Sequence, residues 1–587
     1  MKNLVFSFLA AFLFCSASRA QVIQVNAGSV IRTFDHNPAG INLNYLMDDD
    51  THLNPAIPLQ QSLKEMNVGG LRFPGGEKAD NYLWSVPPYT SVNPHFATQG
   101  NCNWPNNDPA FSSNYLTPLS STMDFDEFML VCQNTHARPL IVVAGDAQYN
   151  TFCTAAPTLT SLITNAAEWV KYANITHAYK IKNWVIGNES FNSAAYDAPS
   201  TASEYAHDVI QFSQAMKAID PTISVVANAK SGAWIDTLIS IAGAYIDAIA
   251  VSNYPIYNWT NGYDTYRTGN PNLVSEINSI LSSVSNTNIR IIVTEYNAID
   301  WAYTWPQNND LGHAIVNFQM FGDQMKISRV EDAYLWNTRW VNNVTAPQDV
   351  FDAVDANGGL NATGKALSMW GNNMLEKMVS TTNGNYVNSF AVRDSSGDSL
   401  NIFLINKDNQ PRTATVTVNN FPALSQPNFS LSHVRLSGSS PADKIPVITY
   451  PTGSVSISGN VLKVNLSPHS INVLKMKHVT LPDTNTNPVD TTTVPPTTLT
   501  TVGIKSINDS DASVAVYPNP NTGTLHVDFQ NPLTKEEEIR ITNSLGIEIY
   551  SLKTRTQKNT INTKEIPNGV YFLMMGSSRR VVVKSSE

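Results

Sequence analysis

The stretch Asn183-Trp-Val-Ile-Gly-Asn-Glu189 is a short apolar run that ends at a glycine, an amide and a carboxylate. Such a run is typical of a buried strand in a parallel sheet. Seven further runs of this kind lie between residues 40 and 337, and amphipathic stretches such as 203–218 and 273–284 separate most of them. This alternation predicts an α/β fold with a closed (β/α)8 barrel. The predicted strands are 40–45, 68–73, 139–144, 183–187, 224–228, 248–253, 290–294 and 333–337.

An open, doubly wound parallel sheet is the structural alternative to this (β/α)8, or TIM, barrel. Such a sheet usually carries a glycine-rich turn after its first strand. The first predicted strand here contains Asn42-Leu-Asn-Tyr45, which has no glycine. The sequence therefore favours the closed barrel.

A second stretch, Ile291-Ile-Val-Thr-Glu-Tyr-Asn297, also carries a glutamate at the end of an apolar run. By strand count, Glu189 follows the fourth strand and Glu295 the seventh, and barrel enzymes place their catalytic groups at this end of the strands. Two such carboxylates are what glycoside hydrolysis requires. The structural alternatives are a helix cap for Glu189 and an ion pair with Arg72 for Glu295.

Other polar and aromatic residues near the predicted strand ends are candidates for binding a sugar. Asn188 can hydrogen-bond a hydroxyl next to the reacting carbon. Aromatic rings offer flat surfaces for the C–H faces of sugars, and core packing is the alternative for each of them. No metal or other cofactor is needed for this chemistry. The aromatic candidates are Trp84, Tyr149, Tyr257, Trp259, Trp301, Trp305, Trp336 and Trp340, and the weaker polar ones are Asp80, Gln148 and Asn337.

Several of these motifs resemble retaining glycoside hydrolases with (β/α)8 barrels. Leu71-Arg-Phe-Pro-Gly-Gly76, with Asp80 and Trp84 after it, is similar to the second-strand motif of the α-L-arabinofuranosidase and heparanase-like families. Asn188-Glu189 and Thr294-Glu-Tyr-Asn297 resemble the acid/base and nucleophile segments. Thr363-Gly-Lys-Ala366 and Trp370 resemble the helix that ends such barrels. The resemblance covers about 30–476 and also extends to endo-glucanase-like families.

This resemblance implies double displacement with retained configuration. Glu295 would be the nucleophile and Glu189 the acid/base, with their carboxyl groups about 5–5.5 Å apart. Arg72 and Tyr254 would keep Glu295 ionised, whereas Glu189 needs a raised pKa.

Two positions depart from the arabinofuranosidase pattern. Asn253 stands where these families often carry histidine, which implies an altered sugar contact. Tyr296 stands where they often carry tryptophan, and some endo-acting cellulases and xyloglucanases share this Glu-Tyr-Asn form. Arabinofuranoside, uronide and β-glucan substrates therefore all stay open, as does endo or exo action.

The sequence pattern changes after residue 370, where apolar and polar residues begin to alternate. The predicted organisation is a signal peptide at 1–20, the barrel at 35–376, and an antiparallel β-sandwich built from 21–34 and 377–478. A linker rich in proline and threonine at 479–512 follows, and an all-β unit at 513–587.

The C-terminal unit resembles the sorting domain of the type IX secretion system. Val516-Tyr-Pro-Asn-Pro520 and Ile566-Pro-Asn-Gly-Val-Tyr-Phe572 carry the resemblance, with Arg579-Arg-Val-Val-Val-Lys584 at the end. It implies partnership with that secretion machinery and a secreted or cell-surface location. A carbohydrate-binding module is the alternative, and the lack of tryptophan after residue 513 argues against it.

Charge and cysteine content agree with an exported protein. Only 14 % of residues are charged, the net charge is -10, and no basic stripe favours nucleic acid. Lys2, a short apolar run and Ser18-Arg-Ala20 predict the signal peptide, and a membrane anchor is the alternative. Without it three cysteines remain. Cys102 and Cys153 are candidates for a disulfide, and Cys132 for a buried thiol.

The sequence as a whole predicts a secreted retaining glycosidase that degrades plant or algal polysaccharide. The first alternative is a surface glycan-binding protein with an inactive barrel, which needs neither Glu189 nor Glu295. The second is a polysaccharide lyase, which would prefer a tyrosine/histidine or lysine base and often Ca²⁺.

Overall fold

The computed structural model describes residues 21–45, 48, 50, 55–97, 122–149, 156–192, 200–339, 352–426, 429–478, 514–517, 522–529, 533, 536–542, 548–564, 566, 569–575 and 578–584. The chain divides into two compact units, one up to Pro482 and one from Asp483. The predicted leader, the linker, Cys102, Cys153 and Trp340 lie outside the described residues and stay predictions.

The first unit contains a closed barrel of eight parallel strands in sequential order, which confirms the predicted fold. Alternate side chains of the strands fill the barrel interior, for example Leu140, Val142 and Ile292, whereas Ile141 and Val143 face the surrounding helices. Burial on both faces is why the strands read as continuous apolar runs. The strands are Ala39–Asn42, Gly70–Phe73, Arg138–Val143, Asn183–Ile186, Ser224–Asn228, Ala248–Asn253, Arg290–Tyr296 and Val330–Leu335.

Helices connect most of these strands and cover the barrel. Capping boxes begin two of them, at Asp124 with Glu127 and at Thr201 with Glu204, where each pair satisfies backbone amides reciprocally. The α-helices are Leu59–Met66, Phe125–Thr135, Leu159–Val170, Ala202–Ile219, Ala233–Ala242, Tyr263–Thr268, Ser275–Ser283, Leu311–Met325 and Ala362–Gly371. A π-helical segment and three 3₁₀ turns accompany them, at Lys171–Thr176, Glu77–Asn81, Ala147–Tyr149 and Pro422–Ser425.

A ten-stranded sheet packs beside the barrel. The sheet folds back over its own apolar core. Two hydrogen bonds show this: Arg435, near one edge of the sheet, donates to Ser467 and to the Asn465 carbonyl, near the other edge. Phe390 and Phe403 of this sheet contact Trp370 of the barrel's last helix. The strands are Gln21–Thr33, Lys377–Thr381, Val387–Arg393, Ser399–Asn406, Arg412–Asn419, Phe429–Ser437, Val447–Thr449, Val455–Ser458, Val461–Leu466 and Ser470–His478.

The N-terminal segment takes part in this sheet, as its alternating pattern predicts. Gln21–Thr33 pairs antiparallel with Lys377–Thr381 and parallel with Arg412–Asn419, so the sheet is mixed rather than wholly antiparallel. Four of its strands were not predicted from the sequence: Lys377–Thr381, Phe429–Ser437, Val447–Thr449 and Val455–Ser458.

The second unit is all-β, as predicted. A three-stranded and a four-stranded sheet share one apolar core. The strands are Val514–Tyr517, Thr524–Phe529, Glu537–Thr542, Glu548–Thr554, Lys558–Asn562, Gly569–Met575 and Ser578–Lys584. A further short pair, Tyr82–Leu83 and His95–Phe96, lies within the first unit.

Cys132 is a buried free thiol, which confirms the prediction for this residue. Burial raises the pKa of this thiol well above its usual value, so it stays protonated and unreactive. In the part of the chain that the structure describes, none of the helices combines the length and the apolar character that crossing a bilayer requires.

Candidate active site

Glu189 stands on a tight turn at the end of the fourth barrel strand. Gly187 has a φ of 69°, and a Cβ there would lie 2.7 Å from Asp146 Oδ2 and 3.0 Å from Ser190 Oγ, so only glycine fits. Glu189 itself has a φ of 44°, a left-handed conformation that is uncommon for residues other than glycine. Such backbone strain is typical of sites where a side chain must be held in one direction.

Arg72 of the second strand connects the other polar groups at this end of the barrel. Its Nη1 donates to Glu295 Oε1 at 2.8 Å and to Asn42 Oδ1 at 2.8 Å, and its Nη2 donates to Asn188 Oδ1 at 2.7 Å. The guanidinium is completely buried. A buried charge of this kind is tolerated only when paired, and the partner is the carboxylate predicted from the sequence.

Glu295 is held at both oxygens. Tyr254 donates its hydroxyl to Oε2 at 2.7 Å, while Arg72 occupies Oε1. Glu295 is only 5 % exposed. Each oxygen of Glu295 thus accepts a hydrogen bond, one of them from a permanently charged guanidinium.

A β-bulge turns Glu295 toward the barrel axis. Along the seventh strand, Ile292 points into the barrel, so strict alternation would send residue 295 outward. The register with the sixth strand shifts between Val293, opposite Val251, and Glu295, opposite Ser252. The extra residue reverses the alternation, and Tyr296 instead packs outward near Phe321. Bulges often re-aim a side chain next to an active site.

Glu189 differs from Glu295 in its electrostatic environment. Burial, followed by the negative charge of Glu295, raises the pKa of Glu189 to about 8. A hydrogen bond from the Ser252 side chain opposes this rise, and the charge of Glu77 adds to it. At neutral pH Glu189 therefore carries a proton that it can donate.

A surrounding layer of hydrogen bonds fixes these groups. Asp80 accepts the Asn188 backbone N–H at 2.9 Å, and Asp146 accepts the Ser190 hydroxyl at 2.6 Å. Asn42 accepts from Arg72 and donates to the carbonyls of Thr294 at 2.9 Å and Leu335 at 3.1 Å. The first, second, seventh and eighth strands are thus joined below the carboxylates.

Trp336, at the end of the eighth strand, lies close to both Gly76 and the nucleophile candidate. A Cβ on Gly76 would lie 2.5 Å from the Trp336 ring and 2.9 Å from Glu295 Oε1. The Trp336–Asn337 peptide bond is cis, and Asn297 donates its side-chain amide to the Trp336 carbonyl. The ring is therefore placed beside the candidate site, where the sequence predicts a sugar contact.

Among the aromatic candidates that the structure describes, Tyr257 and Trp301 are exposed. Tyr257 is 71 % exposed and Trp301 41 % exposed, and Trp301 meets Tyr254 edge-to-face with 5.3 Å between ring centres. Trp259 and Trp305 instead stack on each other at 5.5 Å and are nearly buried.

The structure corrects the assignment of Trp84 as a sugar contact. Its ring is completely buried, packs beside Trp169 at 6.2 Å, and donates its indole N–H to the Asn165 carbonyl at 3.0 Å. Its side chain belongs to the core between barrel and helices, since position near a strand end does not reveal which way a ring points.

The structure also corrects the assignment of Asn253. Its side chain points away from the barrel axis and donates to the Leu273 carbonyl at 2.9 Å. Its neighbours Ser252 and Tyr254 bind Glu189 and Glu295. Alternation along the sixth strand identifies Ser252, which the sequence analysis missed, as the inward residue.

Two further candidates bind a helix residue instead of Glu189 or Glu295. Gln148 and Tyr149 both donate to Asp208, at 2.9 and 2.6 Å. Asn337 is completely buried, and its carbonyl accepts the Ala353 N–H.

Three possible metal ligands cluster at the start of the eighth strand: His36, Glu331 and Asp332. His36 binds Asp332 at 2.9 Å, and arginines pair with both acids, Arg138 with Asp332 and Arg290 with Glu331. These cations already neutralise the cluster, which lies at the strand starts rather than at the strand ends that carry Glu189 and Glu295.

The fold and site define a (β/α)8 barrel with two carboxylates of contrasting environment at the ends of strands four and seven. Residues 62–270 match the model of the alpha-L-arabinofuranosidase 1 domain, and residues 515–586 match that of the secretion system C-terminal sorting domain. The first match contains Arg72, Asn188, Glu189 and Tyr254 and ends before Glu295. Both resemblances seen in the sequence are thus confirmed.

The chain is also similar to individual proteins that are named as arabinofuranosidases. The chain is 27 % identical over 187 residues to the probable alpha-L-arabinofuranosidase C of Aspergillus clavatus, a match that covers 29 % of this chain and 32 % of the relative. The chain thus spans about a third of the length of the curated relatives that it matches first.

Two solved structures share the fold. The alpha-L-arabinofuranosidase of Thermotoga maritima aligns with a TM-score of 0.56 at 18 % identity, over 78 % of this chain and 100 % of that one. A family 44 xyloglucanase of Paenibacillus polymyxa aligns with a TM-score of 0.53 at 14 % identity, over 78 % and 99 %.

Proposed function

We propose that this protein is a secreted retaining glycoside hydrolase, with Glu295 as nucleophile and Glu189 as acid/base. The observation that supports this most strongly is the contrast between two neighbouring carboxyl groups. Arg72 and Tyr254 each donate to a different oxygen of Glu295, whereas burial and the charge of Glu295 raise the pKa of Glu189 to about 8. Environments that separate two carboxyl groups in this way assign one as base or nucleophile and the other as acid.

In the first step, a carboxylate oxygen of Glu295 forms a bond to the anomeric carbon as the bond to the leaving oxygen breaks. Glu189 gives its proton to that oxygen, so the aglycone leaves as an alcohol. The loss of the charge on Glu295 in the glycosyl-enzyme also removes the repulsion that disfavoured ionised Glu189.

In the second step, Glu189 takes a proton from water as the water oxygen attacks the anomeric carbon, and Glu295 leaves as a carboxylate. Two inversions give net retention. This route requires carboxyl groups about 5–5.5 Å apart. Arg72 occupies the Asn188 carbonyl oxygen, so the NH₂ group of that amide is the part available to a sugar hydroxyl.

The first sugar to test is L-arabinofuranose. The matched alpha-L-arabinofuranosidase domain contains four of the site residues, which supports this choice. Xyloglucan and other β-glucans come next, because a xyloglucanase shares the fold, and uronides complete the set. Plant or algal polysaccharides carry these sugars.

The sorting domain supports export through a type IX secretion machinery to the medium or the cell surface. The match at residues 515–586 covers the part of the second unit that follows the predicted linker. The predicted signal peptide at 1–20 would supply the first export step.

The test is hydrolysis of aryl glycosides and polysaccharides of these classes by the full chain, by Glu189→Ala and by Glu295→Ala. General acid catalysis contributes about 10²–10⁴-fold, so Glu189→Ala should lose that much on substrates with poor leaving groups. Azide should rescue Glu189→Ala and give a glycosyl azide of retained configuration. Glu65→Ala, at an exposed helix position, is the matched control and should act like wild type.

Hydrolysis by wild type that survives both substitutions would overturn the residue assignments. Binding of one polysaccharide without any hydrolysis would overturn the enzyme proposal in favour of a glycan-binding protein.

A further inference from the structure

Two loops at the carboxyl end of the barrel are tied together by one carboxylate. The loops follow the sixth and seventh strands, at 254–262 and 297–310. Asp300 of the second loop accepts the backbone N–H groups of Asn258 at 2.8 Å and Trp259 at 3.0 Å from the first. It also accepts three donors from its own loop, the N–H groups of Ala302 and Trp305 and the Thr304 hydroxyl.

This carboxylate is completely buried. Burial alone would raise the pKa of Asp300, but its five donors outweigh that effect and hold the pKa well below its usual range. Asp300 is therefore ionised at neutral pH, and charge-assisted bonds of this kind are among the stronger ones in proteins.

The clamped loops hold two residues in strained conformations. Asn258 has a φ of 62° and Tyr303 a φ of 56°, both in the left-handed region. Non-glycine residues keep such conformations only where the surroundings impose them, often at ligand-binding positions. Each strained residue belongs to a different loop. Asp300 accepts the N–H group of Asn258 itself and, on either side of Tyr303, the donors of Ala302 and Thr304.

The same two loops expose three aromatic side chains, which we call the aromatic rim: Tyr257, Trp301 and Tyr303. Their exposed fractions are 71 %, 41 % and 70 %. Trp259 and Trp305 of the same two loops are buried and stack on each other across the loops, with an angle of 17° between the rings. Large aromatic groups on a rigid support cost little entropy when they bind a ligand.

The aromatic rim is continuous with the candidate active site. Trp301 contacts Tyr254 edge-to-face at 5.3 Å, and Tyr254 donates to Glu295 at 2.7 Å. Only one side chain therefore separates the rim from the proposed nucleophile.

We propose that the aromatic rim binds consecutive sugar rings of an oligosaccharide or polysaccharide chain, with Asp300 as the positioning residue that fixes both loops. The identity of the reaction rests on the proposed function, whereas the binding surface does not. The apolar C–H faces of pyranose or furanose rings match tyrosine and indole faces, and the hydroxyl and indole N–H groups remain free to contact sugar hydroxyls.

The test measures binding to full-length Glu295→Gln by titration calorimetry, so that turnover does not interfere. The probes are arabinan-, xyloglucan- and cellulose-derived oligosaccharides of two to six sugars. Affinity for at least one series should rise with length up to four sugars or more. In this background, Tyr257→Ala and Tyr303→Ala should each weaken binding of the longest member by about tenfold, and that of the disaccharide by less.

Tyr450→Ala is the matched control, because Tyr450 is a similarly exposed tyrosine directly after the strand Val447–Thr449 of the ten-stranded sheet. It should leave the length dependence unchanged. Asp300→Asn, which keeps the size but removes the charge and one acceptor oxygen, tests the positioning role. With otherwise wild-type protein and a long substrate, it should raise KM more than it lowers kcat.

The outcomes separate this proposal from the proposed function. Length-dependent binding that the rim substitutions abolish, in a protein that hydrolyses nothing, would support the rim and overturn the enzyme. Hydrolysis together with length-independent binding, or with rim variants that bind like their parent, would overturn the rim. Equal losses from Tyr450→Ala would also overturn it.

Discussion

Arg72 and Glu295 form a 2.8 Å ion pair inside the barrel, although one comes from the second strand and the other from the seventh. The same arginine binds Asn42 and Asn188, so one side chain sets the positions of groups from three other barrel segments. The geometry of the candidate site therefore depends on this guanidinium more than on any other neighbouring group.

Arg72→Met should abolish activity and destabilise the barrel. Removing one partner of a buried ion pair leaves the other charge uncompensated, at a cost of about 3–5 kcal/mol. Thermal unfolding and kcat/KM would measure the two effects. Lys171→Met, which breaks an exposed pair with Glu168, should cost less than about 1 kcal/mol and leave kcat intact. Equal stability of the two variants would contradict the central role of Arg72.

The pH dependence should follow Glu189. Its acid form is required for the first step, so kcat/KM should fall on the alkaline side with an apparent pKa of about 8. Stability should also fall as pH rises from about 4.5 to 8, because the unfolded chain releases this proton before the folded one. Glu189→Gln removes that proton and should be more stable than wild type at neutral pH. If kcat/KM of Glu189→Gln still fell at alkaline pH, the fall would have to be assigned to another group.

Ser252→Ala and Asn253→Ala should differ, although the residues are adjacent. The Ser252 hydroxyl lowers the pKa of Glu189, so its removal should move the alkaline limb of kcat/KM to higher pH. Asn253 bonds the Leu273 carbonyl instead, and its removal should cost about 1 kcal/mol of stability without moving that limb. A shift in the pH profile of Asn253→Ala alone would show that the two side chains are assigned to the wrong faces of the strand.

Gly76→Ala should lower kcat/KM by about 10²-fold, because its methyl group would displace the Trp336 ring, Glu295 or both. Gly453→Ala is the matched control. Gly453 has a φ of 65° and open space around its Cβ position, so alanine there should cost about 1–2 kcal/mol and leave kcat unchanged. Full activity of Gly76→Ala would mean that the pocket around Glu295 can widen freely.

The barrel and the two carboxylates could be read from the sequence because their signals are local. Strands buried on both faces produce continuous apolar runs, and a glutamate at the end of such a run stands out. The bulge at Thr294 could not be read in this way. It depends on the register with the neighbouring strand, and without it Glu295 would be assigned to the outer face.

Side-chain direction accounts for the other differences. Trp84 and Trp301 are both tryptophans near a strand end, yet Trp84 is buried in the core and Trp301 is exposed. Asn42 and Asp300 gave no sequence signal, because their roles come from partners on other barrel segments, up to 293 positions away for Asn42. Ser252 could have been found, since strand alternation places it and Tyr254 on one face.

The pairing of Gln21–Thr33 with both Lys377–Thr381 and Arg412–Asn419 has a consequence for folding kinetics. The first strand of the chain cannot find its second neighbour until residue 419 has been synthesised. Closing so long a loop is entropically costly, and pairings of this kind form slowly. Both edges of the strand stay open until residue 381 has been synthesised, and one stays open until residue 419, and open edges can pair with other chains. A chaperone that delays folding until synthesis is complete would therefore protect this strand from pairing with other chains.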